Sequence, residues 1–323
     1  MSWLVPALEA AIILVVLLVS PIGLIWFERR LLAAFQDRRG PNRVGPLGLL
    51  QPVADGLKLM LKEDWIPPFA DRPVFIIAPG IVVITVLLVF GVIPFAPNVH
   101  ITDLNVGLLF FLGMTSLGVY SIVLGGWASN SKYSLVGALR AAAQMISYEV
   151  PMGVSLVGVV MLAGSFRLGD IVEAQRSVWF CVLQPVGLAI FFIATVAESR
   201  RIPFDLPEAD SELVQGYHTE YSSMKFALFL VGEYLDIVLV GAVTTALFLG
   251  GWHAPWFIPG AAGRLPPLFW FAVKTGVVIV LFIWIRSVLP RFRFDQLMDV
   301  GWKVLLPLSL LNLLVTGFIA LAL

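Results

Sequence analysis

Long apolar runs separated by short polar segments dominate the sequence. Eight runs are about twenty residues long, near 7–27, 74–94, 105–126, 137–162, 180–199, 225–249, 267–286 and 303–322. A membrane-spanning helix needs about 20 apolar residues, because roughly 30 Å of hydrocarbon is crossed at about 1.5 Å per residue. The runs are continuous and lack the alternation of barrel strands. The pattern predicts one all-α polytopic membrane domain, residues 1–323, with eight transmembrane helices.

One further segment has helical periodicity but is too short and too charged to span a membrane. In residues 48–64, Leu50, Val53, Leu57 and Leu61 recur at helical spacing, and polar residues occupy another face. Such a helix lies along the membrane surface. We therefore expect an interfacial amphipathic helix in the first long connection between spans.

The composition agrees with a membrane protein and excludes several classes of function. Charged residues make up 13% of the chain, about half the share in soluble domains. The net charge is zero, so nucleic acid is not suggested as a partner. A single cysteine, Cys181, excludes a disulfide framework and an iron–sulfur cluster built by this chain alone. The three histidines are scattered, so no metal or haem site is expected.

The distribution of Lys and Arg predicts the orientation. Seventeen of the 21 basic residues lie in or beside four alternate connections, 28–73, 127–136, 200–224 and 287–302. Positive residues favour the cytoplasmic side. These connections are therefore expected in the cytoplasm, with both termini periplasmic in a bacterial inner membrane. The first run lacks a preceding basic segment and a cleavage site, so we expect a retained span instead of a signal peptide.

One connection is strongly acidic. Residues 202–224 hold five acids and no Lys or Arg: Asp205, Glu208, Asp210, Glu212 and Glu220. Pro207 suits the first turn of a helix, which would place Asp205, Glu208 and Glu212 on one face. Repulsion among such carboxylates is relieved by raised pKa values and shared protons. The alternative is a solvated acidic loop that docks a basic partner.

Ionisable residues also occur inside the predicted spans. Glu149, Glu233 and Asp236 lie within apolar runs, Glu198 lies at the end of one, and Lys274 lies in another. A charge in the bilayer interior costs about 2.5–3.5 kcal/mol and commonly marks a proton or ion path. The alternative is a structural ion pair, for instance with Lys274. Five tyrosines near these acids belong either to hydrogen-bond chains or to interfacial belts: Tyr133, Tyr148, Tyr217, Tyr221 and Tyr234.

The first connection is rich in arginine. Arg29, Arg30, Arg38, Arg39 and Arg43 lie within fifteen residues, interspersed with phenylalanine and a Gly-Pro turn. Anchoring to anionic lipid explains such a cluster. A pocket with apolar walls and a polar head, open to a lipid-soluble ligand, explains it equally well.

Four long segments resemble one known family. They are "ERRLLAAFQDRRGPNRVGPLGLLQPVADGLKLMLKED", "GWASNSKYSLVGALRAAAQMISYEV", "RIPFDLPEADSELVQGYHTEYSSMKF" and "IRSVLPRFRFDQLMDVGWKVLLPLSLLN". They are similar to the H-type membrane subunits of respiratory complex I, the proton-pumping NADH:quinone oxidoreductase. The resemblance covers nearly the whole chain. It implies a subunit that forms much of a quinone tunnel and the first part of a proton path.

The resemblance also implies roles for individual residues. Residues of the quinone tunnel correspond to Glu28, Arg29, Arg38, Asp55 and Tyr234. Residues of the proton path correspond to Glu149, Glu198, Arg201, Asp205, Glu208, Asp210, Glu212, Glu220 and Glu233. Quinone, either ubiquinone or menaquinone, is the implied substrate. Flavin and iron–sulfur clusters would belong to partner subunits, and the implied partners are peripheral quinone-site subunits, small membrane subunits, antiporter-like subunits and membrane lipid.

Two positions depart from the family pattern. The family often has "AETNR" where this chain has "AESRR", which adds a positive charge at Arg200, and often has Glu where this chain has Asp210. Our hypothesis is that the acidic connection couples quinone reduction to carboxylate protonation. The alternatives are a homologous membrane protein of a hydrogenase-type complex, an ion transporter, and a passive membrane anchor.

Overall fold

The computed structural model describes residues 4–97, 99–207, 210–255 and 265–322, and the chain is predominantly helical throughout these ranges. The α-helices in chain order are α1 (Leu4–Phe35), α2 (Gln51–Leu61), α3 (Arg72–Phe90), α4 (Gly107–Ala128), α5 (Lys132–Ala163), α6 (Leu168–Ala174), α7 (Phe180–Leu183), α8 (Pro185–Glu198), α9 (Asp210–Leu213), α10 (Ser223–Phe248), α11 (Pro267–Val288), α12 (Phe294–Asp299) and α13 (Leu306–Ala322).

Seven helical stretches among the described residues are long and apolar enough to cross a membrane. They are Leu8–Phe35, Arg72–Phe90, Gly107–Ala128, Lys132–Ala163, Ser223–Phe248, Pro267–Val288 and Phe294–Leu321. The last combines α12 and α13, which a π-helical segment, Val300–Leu305, joins without a break. The prediction of a helical polytopic protein is confirmed.

The run predicted at 180–199 is helical but broken. The short helix α7 ends at Leu183, and α8 begins at Pro185 and contributes fourteen residues. Proline has no N–H to donate and disfavours helical geometry in the preceding residue. Gln184 at this break is buried, and its Nε2 donates to Thr316 Oγ1 of α13 at 2.9 Å. The break is therefore a fixed packing element.

Two helices start or end beyond their predicted bounds. The helix α1 continues to Phe35, so residues 28–35, predicted as part of a loop, are helical. The helix α5 begins at Lys132 instead of 137. Each extension contains charged or polar residues and lies outside the apolar run, so hydrophobicity underestimates the length of these two helices. The extension of α1 places Glu28 and Arg29 on a rigid element.

Small residues allow close packing between the long helices. A Cβ added to Gly232 of α10 would lie 2.7 Å from Val82 of α3. Within a membrane, helix association depends on packing and interhelical hydrogen bonds, because lipid is as apolar as the side chains. The helix α10 is thus held tightly against α3 one residue before Glu233.

Lys274 of α11 does not form the structural ion pair that was the alternative to a proton path. Its Nζ donates to three backbone carbonyl oxygens, Leu249 at 2.6 Å, Gly251 at 2.9 Å and His253 at 2.7 Å. It also lies 4.2 Å from the centre of the Trp179 ring. The proposed pairing of Lys274 with the acids inside the spans is wrong, because backbone carbonyls at the end of α10 take up its hydrogen bonds.

The acidic connection after α8 packs into the bundle. Gln144 of α5 is buried, and its Nε2 donates to the carbonyls of Ala197 at 2.7 Å and Phe204 at 2.8 Å. Further along, Tyr217 is fully buried. The close approach of Gly137 allows this, since a Cβ there would lie 2.8 Å from Gly216. Residues 203–207 and 216–218 of the connection are therefore buried in the bundle, whereas Glu212, Val214 and Gln215 are exposed.

Candidate functional site

A cluster of buried charges lies where α1, α10, α11 and the connection after α8 meet. Arg201 Nη1 donates to Glu28 Oε1 at 3.1 Å and Oε2 at 3.2 Å, and its Nη2 lies 3.6 Å from Glu233 Oε2. The exposed fractions are 7% for Arg201, 2% for Glu28 and 5% for Glu233. Arg201 thus joins α1 to α10 through two carboxylates held away from water.

Arg286 and Tyr234 complete this cluster. Arg286 of α11 also pairs with Glu28, and the Arg201 guanidinium lies 4.3 Å from the centre of the Tyr234 ring. Burial alone would lower the pKa of Arg201, but Glu28, Tyr234 and Glu233 outweigh it and raise that pKa above its ordinary value. Arg201 is therefore a permanent cation shared between two acids.

A second hydrogen-bonded branch reaches Glu233 from the acidic connection. Tyr217 Oη lies 3.2 Å from Glu233 Oε1 and donates to it, while Arg200 Nη1 donates to Tyr217 Oη at 2.7 Å. All three side chains are buried. Glu233 therefore lies between two arginines, one in direct reach and one acting through a tyrosine hydroxyl.

A polar cavity of about 220 Å³ borders the cluster. Its walls include Arg200, Arg201, Glu233, Tyr234 and Arg286, together with Asp205, Gln215, His218, Phe226 and Leu230. Most of these side chains carry hydrogen-bonding groups. The cavity can therefore hold a small polar group and offer it cationic donors.

An apolar groove of about 390 Å³ lies between α1, α2 and α10. Most of its lining is aliphatic, and Arg29 and Asp55 form a polar part of the wall. Arg29 Nη1 donates to Asp55 Oδ2 at 2.6 Å, and Gln51 supports the same carboxylate at 3.0 Å. Leu230 lines this groove and also the polar cavity. The apolar groove and the polar cavity therefore share a wall at Leu230.

Three further acids lie deeper among the helices. Glu198 and Asp236 line a cavity of about 30 Å³ together with Arg200 and Thr115, a volume suited to about one water molecule. Glu149 of α5 accepts a hydrogen bond from Ser116 of α4. These acids thus lie at two places beside α4, the water-sized cavity and the Ser116 hydroxyl.

Two acids of the connection, Asp205 and Glu212, have separate arginine partners. Asp205 Oδ2 lies 2.6 Å from Arg291 Nη2, and Glu212 Oε2 lies 2.5 Å from Arg140 Nη1 with 52% of the Glu212 side chain exposed. The expected shared helix face is wrong for Asp205 and Glu212, because α9 spans only Asp210–Leu213 and 201–207 is not helical. Two prolines, Pro203 and Pro207, interrupt the helical geometry there.

Four predicted site residues remain: Glu208, Asp210, Glu220 and Arg38. Glu220 is partly buried near the start of α10. Only the backbone of Asp210 is described, and Glu208 lies outside the described residues. Arg38 donates to Gln36 Oε1 at 2.7 Å on the exposed end of the first connection. Arg38 is therefore away from the groove wall formed by Arg29 and Asp55.

Several residues of the cluster are not identified by sequence reasoning. Arg286, Arg291 and His218 do not stand out in the sequence, Tyr217 is one of five tyrosines without a role, and Arg200 is notable only as a departure from the family pattern. Each is positioned by long-range contacts, such as the pairing of Arg286 with Glu28. A basic residue just after an apolar run signals membrane anchoring as readily as a buried ion pair, so spacing alone does not identify them.

His218 lies against the aromatic side of the polar cavity. It is 3% exposed, and its ring centre is 5.0 Å from that of Phe229 and 5.4 Å from that of Phe226. Burial lowers the pKa of His218 to about 4. The imidazole is therefore neutral at physiological pH.

This burial predicts a pH dependence of stability. The unfolded chain protonates His218 near its ordinary pKa of about 6.5, so between pH 6.5 and about 4 the unfolded state binds more protons. The stabilisation that comes from keeping His218 neutral is fully present above pH 6.5. The free energy of unfolding then falls by up to about 3 kcal/mol as the pH drops towards 4. We expect His218→Asn to reduce the difference in thermal unfolding temperature of the protein in detergent between pH 7 and pH 4.5.

The matched control is His100→Asn, which changes a half-buried histidine in the connection between α3 and α4. In this control, the difference in unfolding temperature between pH 7 and pH 4.5 should equal that of the unsubstituted chain. An equal pH response in the His218 variant and the control would contradict the expectation.

Comparison with known proteins gives a consistent result over the full chain. A family model described as NADH dehydrogenase matches residues 8–317. The H subunit of NADH-quinone oxidoreductase from Methylococcus capsulatus is 57% identical over 317 residues, 98% of either chain. The first of the numbered H subunits from Geobacter metallireducens is 55% identical, covering 96% of this chain and 95% of its own. The second H subunit from Rhodopseudomonas palustris is 51% identical, covering 99% of this chain and 98% of its own. By sequence, this chain belongs to the NADH dehydrogenase family, and its relatives include bacterial H subunits of NADH-quinone oxidoreductase.

Proposed function

We propose that this chain is the quinone-tunnel and proton-path subunit of a bacterial NADH-quinone oxidoreductase, coupling quinone reduction to proton translocation. Family membership and the names of relatives such as that of Methylococcus capsulatus support the assignment to this enzyme. Those names do not favour the hydrogenase-type alternative. The enzyme is the assembly, with flavin and iron–sulfur clusters in partner subunits, and the substrate met by this chain is ubiquinone or menaquinone.

The observation that carries the quinone assignment is the shared wall at Leu230. A quinone has an apolar tail and a polar ring, so its site needs an apolar channel that ends in hydrogen-bond donors. The groove between α1, α2 and α10 is lined mostly by aliphatic groups, and the polar cavity next to it is lined by arginine and tyrosine. We assign the tail to the groove beside Arg29 and Asp55, and the ring to the cavity near Tyr234.

Proton coupling begins with the negative charge that reduction places on the quinone. Two electrons from a partner subunit give the quinone negative charge beside Arg201, which Glu28 and Glu233 already share, and the uptake of two protons then leaves a neutral quinol. The protonation of Glu233 responds, and each unit of pKa shift corresponds to about 1.4 kcal/mol. The response passes to Glu198 and then to Glu149. The acids of the connection, Asp205, Glu208, Asp210, Glu212 and Glu220, form the cytoplasmic entrance to this path.

The membrane topology follows from the same proposal. We take α7 and α8 together as one further span, fifth in chain order, which brings the total to eight. Residues 180–198 reach about 28 Å at 1.5 Å per residue. Both termini are periplasmic, and the connections 28–73, 127–136, 200–224 and 287–302 face the cytoplasm. The helix α2 lies on the membrane surface, where exposed Val53, Leu57 and Leu61 contact lipid.

The partners follow from the redox chemistry that quinone reduction requires. With one cysteine and no redox group expected, this chain needs peripheral subunits to bring electrons to the quinone, and small membrane and antiporter-like subunits to move further protons. Co-purification from the native membrane tests this. Recovery of a flavoprotein and iron–sulfur subunits supports the proposal, whereas an ion transporter would be active as the purified chain alone.

Filling the junction between the two cavities should block the quinone. We expect Leu230→Trp to raise the KM for a long-tailed quinone by about tenfold, because overfilling a packed site costs about 1–3 kcal/mol. The measurement is NADH-driven quinone reduction in membranes, with assembly monitored by electron transfer to an artificial acceptor that takes electrons from the peripheral arm.

Leu228→Trp is the matched control, because Leu228 is on the same helix and lines neither cavity. It should keep the KM of the unsubstituted enzyme. If Leu230→Trp and Leu228→Trp have the same KM with full assembly, the quinone does not pass Leu230.

A further inference from the structure

The amphipathic helix α2 is held at both of its ends. Its first half is joined to α1 by the salt bridge described above. At the other end, Ser223 Oγ of α10 donates to the backbone oxygen of Leu59 at 3.0 Å. Lys225 of α10 pairs with Asp64, three residues after α2 ends. The helix α2 therefore spans the distance between α1 and α10, which form the other walls of the apolar groove.

The contacts with α10 lie directly beside the residues that line this groove. Leu59 accepts the hydrogen bond from Ser223 and also lines the groove. Met224, which lines the groove from α10, lies between Ser223 and Lys225 in the sequence. The same contacts that attach α2 to α10 therefore fix the distance between two walls of the groove.

Ser223 has a backbone conformation that glycine adopts more readily. Its φ is +54°, in the left-handed region that is costly for a residue with a side chain. The residue is buried. Glycine would relieve the backbone but would supply no hydroxyl to Leu59. The hydrogen bond to α2 therefore offsets a backbone cost at the first residue of α10.

Lys225 forms an ion pair with one buried partner. The exposed fraction of the side chain is 9% for Lys225 and 53% for Asp64. The ammonium also lies 5.8 Å from the centre of the Phe75 ring of α3. A partly buried pair is screened less by salt than an exposed one. Its loss should therefore be felt more strongly than the loss of a surface pair.

We propose that Ser223, Lys225 and Asp64 form a latch that holds α2 against α10 and makes the groove selective for quinones with long apolar tails. This inference rests on the proposed function and deepens it. The three are positioning residues, because they act on the tail through α2. A wall that is already in place binds a tail without the entropy cost of ordering α2 at each binding event. A quinone with a single isoprenyl unit fills little of the groove, so it gains little from the latch.

The test uses the intact oxidoreductase in membranes with Lys225→Met, Ser223→Ala and the combined variant. We expect the combined variant to raise the KM for a long-tailed quinone by about tenfold, the order of a lost hydrogen bond, with kcat retained. The KM for a quinone with a single isoprenyl unit should not change. Lys225→Arg keeps the pair with Asp64 and should keep both KM values. Ser223→Gly should act as Ser223→Ala does, although it relieves the backbone.

A second measurement follows α2 without any quinone. Amide hydrogen exchange of residues 51–61, measured by mass spectrometry on the intact oxidoreductase, should be faster in the combined variant, because exchange reports local opening. The matched control is Lys303→Met, which breaks an exposed pair with Asp299. It should leave the exchange of α2 and both KM values unchanged.

Unchanged exchange of α2 in the combined variant overturns the latch, and an equal rise in KM for the two quinones overturns its selectivity. If the long-tailed quinone keeps its KM in the latch variants while Leu230→Trp raises it in the same membranes, the latch fails and the proposed function stands. If Leu230→Trp leaves that KM unchanged as well, the quinone does not use the groove and the proposed function fails with the latch.

Discussion

Arg201→Met is expected to reduce quinone reduction by at least about a hundredfold. Removing one partner of a buried ion pair costs about 3–5 kcal/mol, because the remaining carboxylate stays out of water. Glu28 would keep Arg286, but Glu233 would lose the guanidinium at 3.6 Å. The measurement is NADH-driven quinone reduction in membranes, with assembly followed on native gels.

The charge balance around Arg201 supplies the controls. Arg201 and Arg286 face Glu28 and Glu233, two cations against two acids. The double variant Arg201→Met with Glu28→Gln restores this balance, so assembly should recover while turnover stays low. Arg140→Met breaks the exposed pair with Glu212, which is worth at most about 1 kcal/mol, and should assemble normally. Full turnover in Arg201→Met would show that the shared cation is dispensable.

The double variant Glu149→Gln with Glu233→Gln is expected to reduce ΔpH formation by vesicles by about a hundredfold, the lower range of what a proton-transferring group contributes. Glutamine keeps the shape of glutamate but carries no exchangeable carboxyl proton. The measurement is NADH-driven acidification of inverted vesicles, alongside electron transfer to the artificial acceptor to verify assembly.

Aspartate at both positions keeps the carboxyl groups and should recover part of the acidification. Glu173→Gln changes an exposed acid of α6 that lies near His253, and it should leave acidification unchanged. Undiminished ΔpH in the double glutamine variant would refute the proton path through Glu149 and Glu233, and it would favour a passive anchoring role.

The two experiments separate the parts of the mechanism. Arg201 belongs to the cluster that borders the quinone cavity, so its loss affects quinone chemistry first. Glu149 lies outside that cluster, where it accepts a hydrogen bond from Ser116 of α4, so its loss affects the onward transfer of protons. A variant that stops acidification but still reduces quinone would place the block after Glu233.

Hydrophobicity predicts the long helices of this fold well, because lipid requires the same apolar length whatever the tertiary contacts. Hydrophobicity does not predict where a proline breaks a helix or where a helix continues beyond its apolar run. Pro185 breaks the predicted run at 180–199, and α1 continues two turns into residues predicted as a loop. The break at Pro185 hardly changes the average hydrophobicity of its run. The extension of α1 is missed for the opposite reason, since the charged residues 28–30 end the apolar run while the helix continues.

The sequence identifies the acids of the site more readily than the residues that pair with them. Glu149, Glu198 and Glu233 stand out because a carboxyl group within an apolar run is costly. Arg286 and Tyr217 do not, since their importance depends on contacts with residues far away in sequence, such as Glu28 and Glu233. The sequence overestimates repulsion among the acids of the connection for Asp205 and Glu212, because separate arginines, Arg291 and Arg140, pair with them.

The carbonyl cage around Lys274 has a consequence for sequence variation. Its three acceptors are main-chain oxygens, which every amino acid supplies, so replacing Leu249 or His253 leaves the ammonium ion with the same ligands. Gly251 is the exception, since its φ of +48° restricts the residues that can follow this path. Substitutions at Leu249 or His253 are therefore compatible with the contacts of Lys274, whereas a substitution at Gly251 strains the backbone that presents one of the three carbonyls.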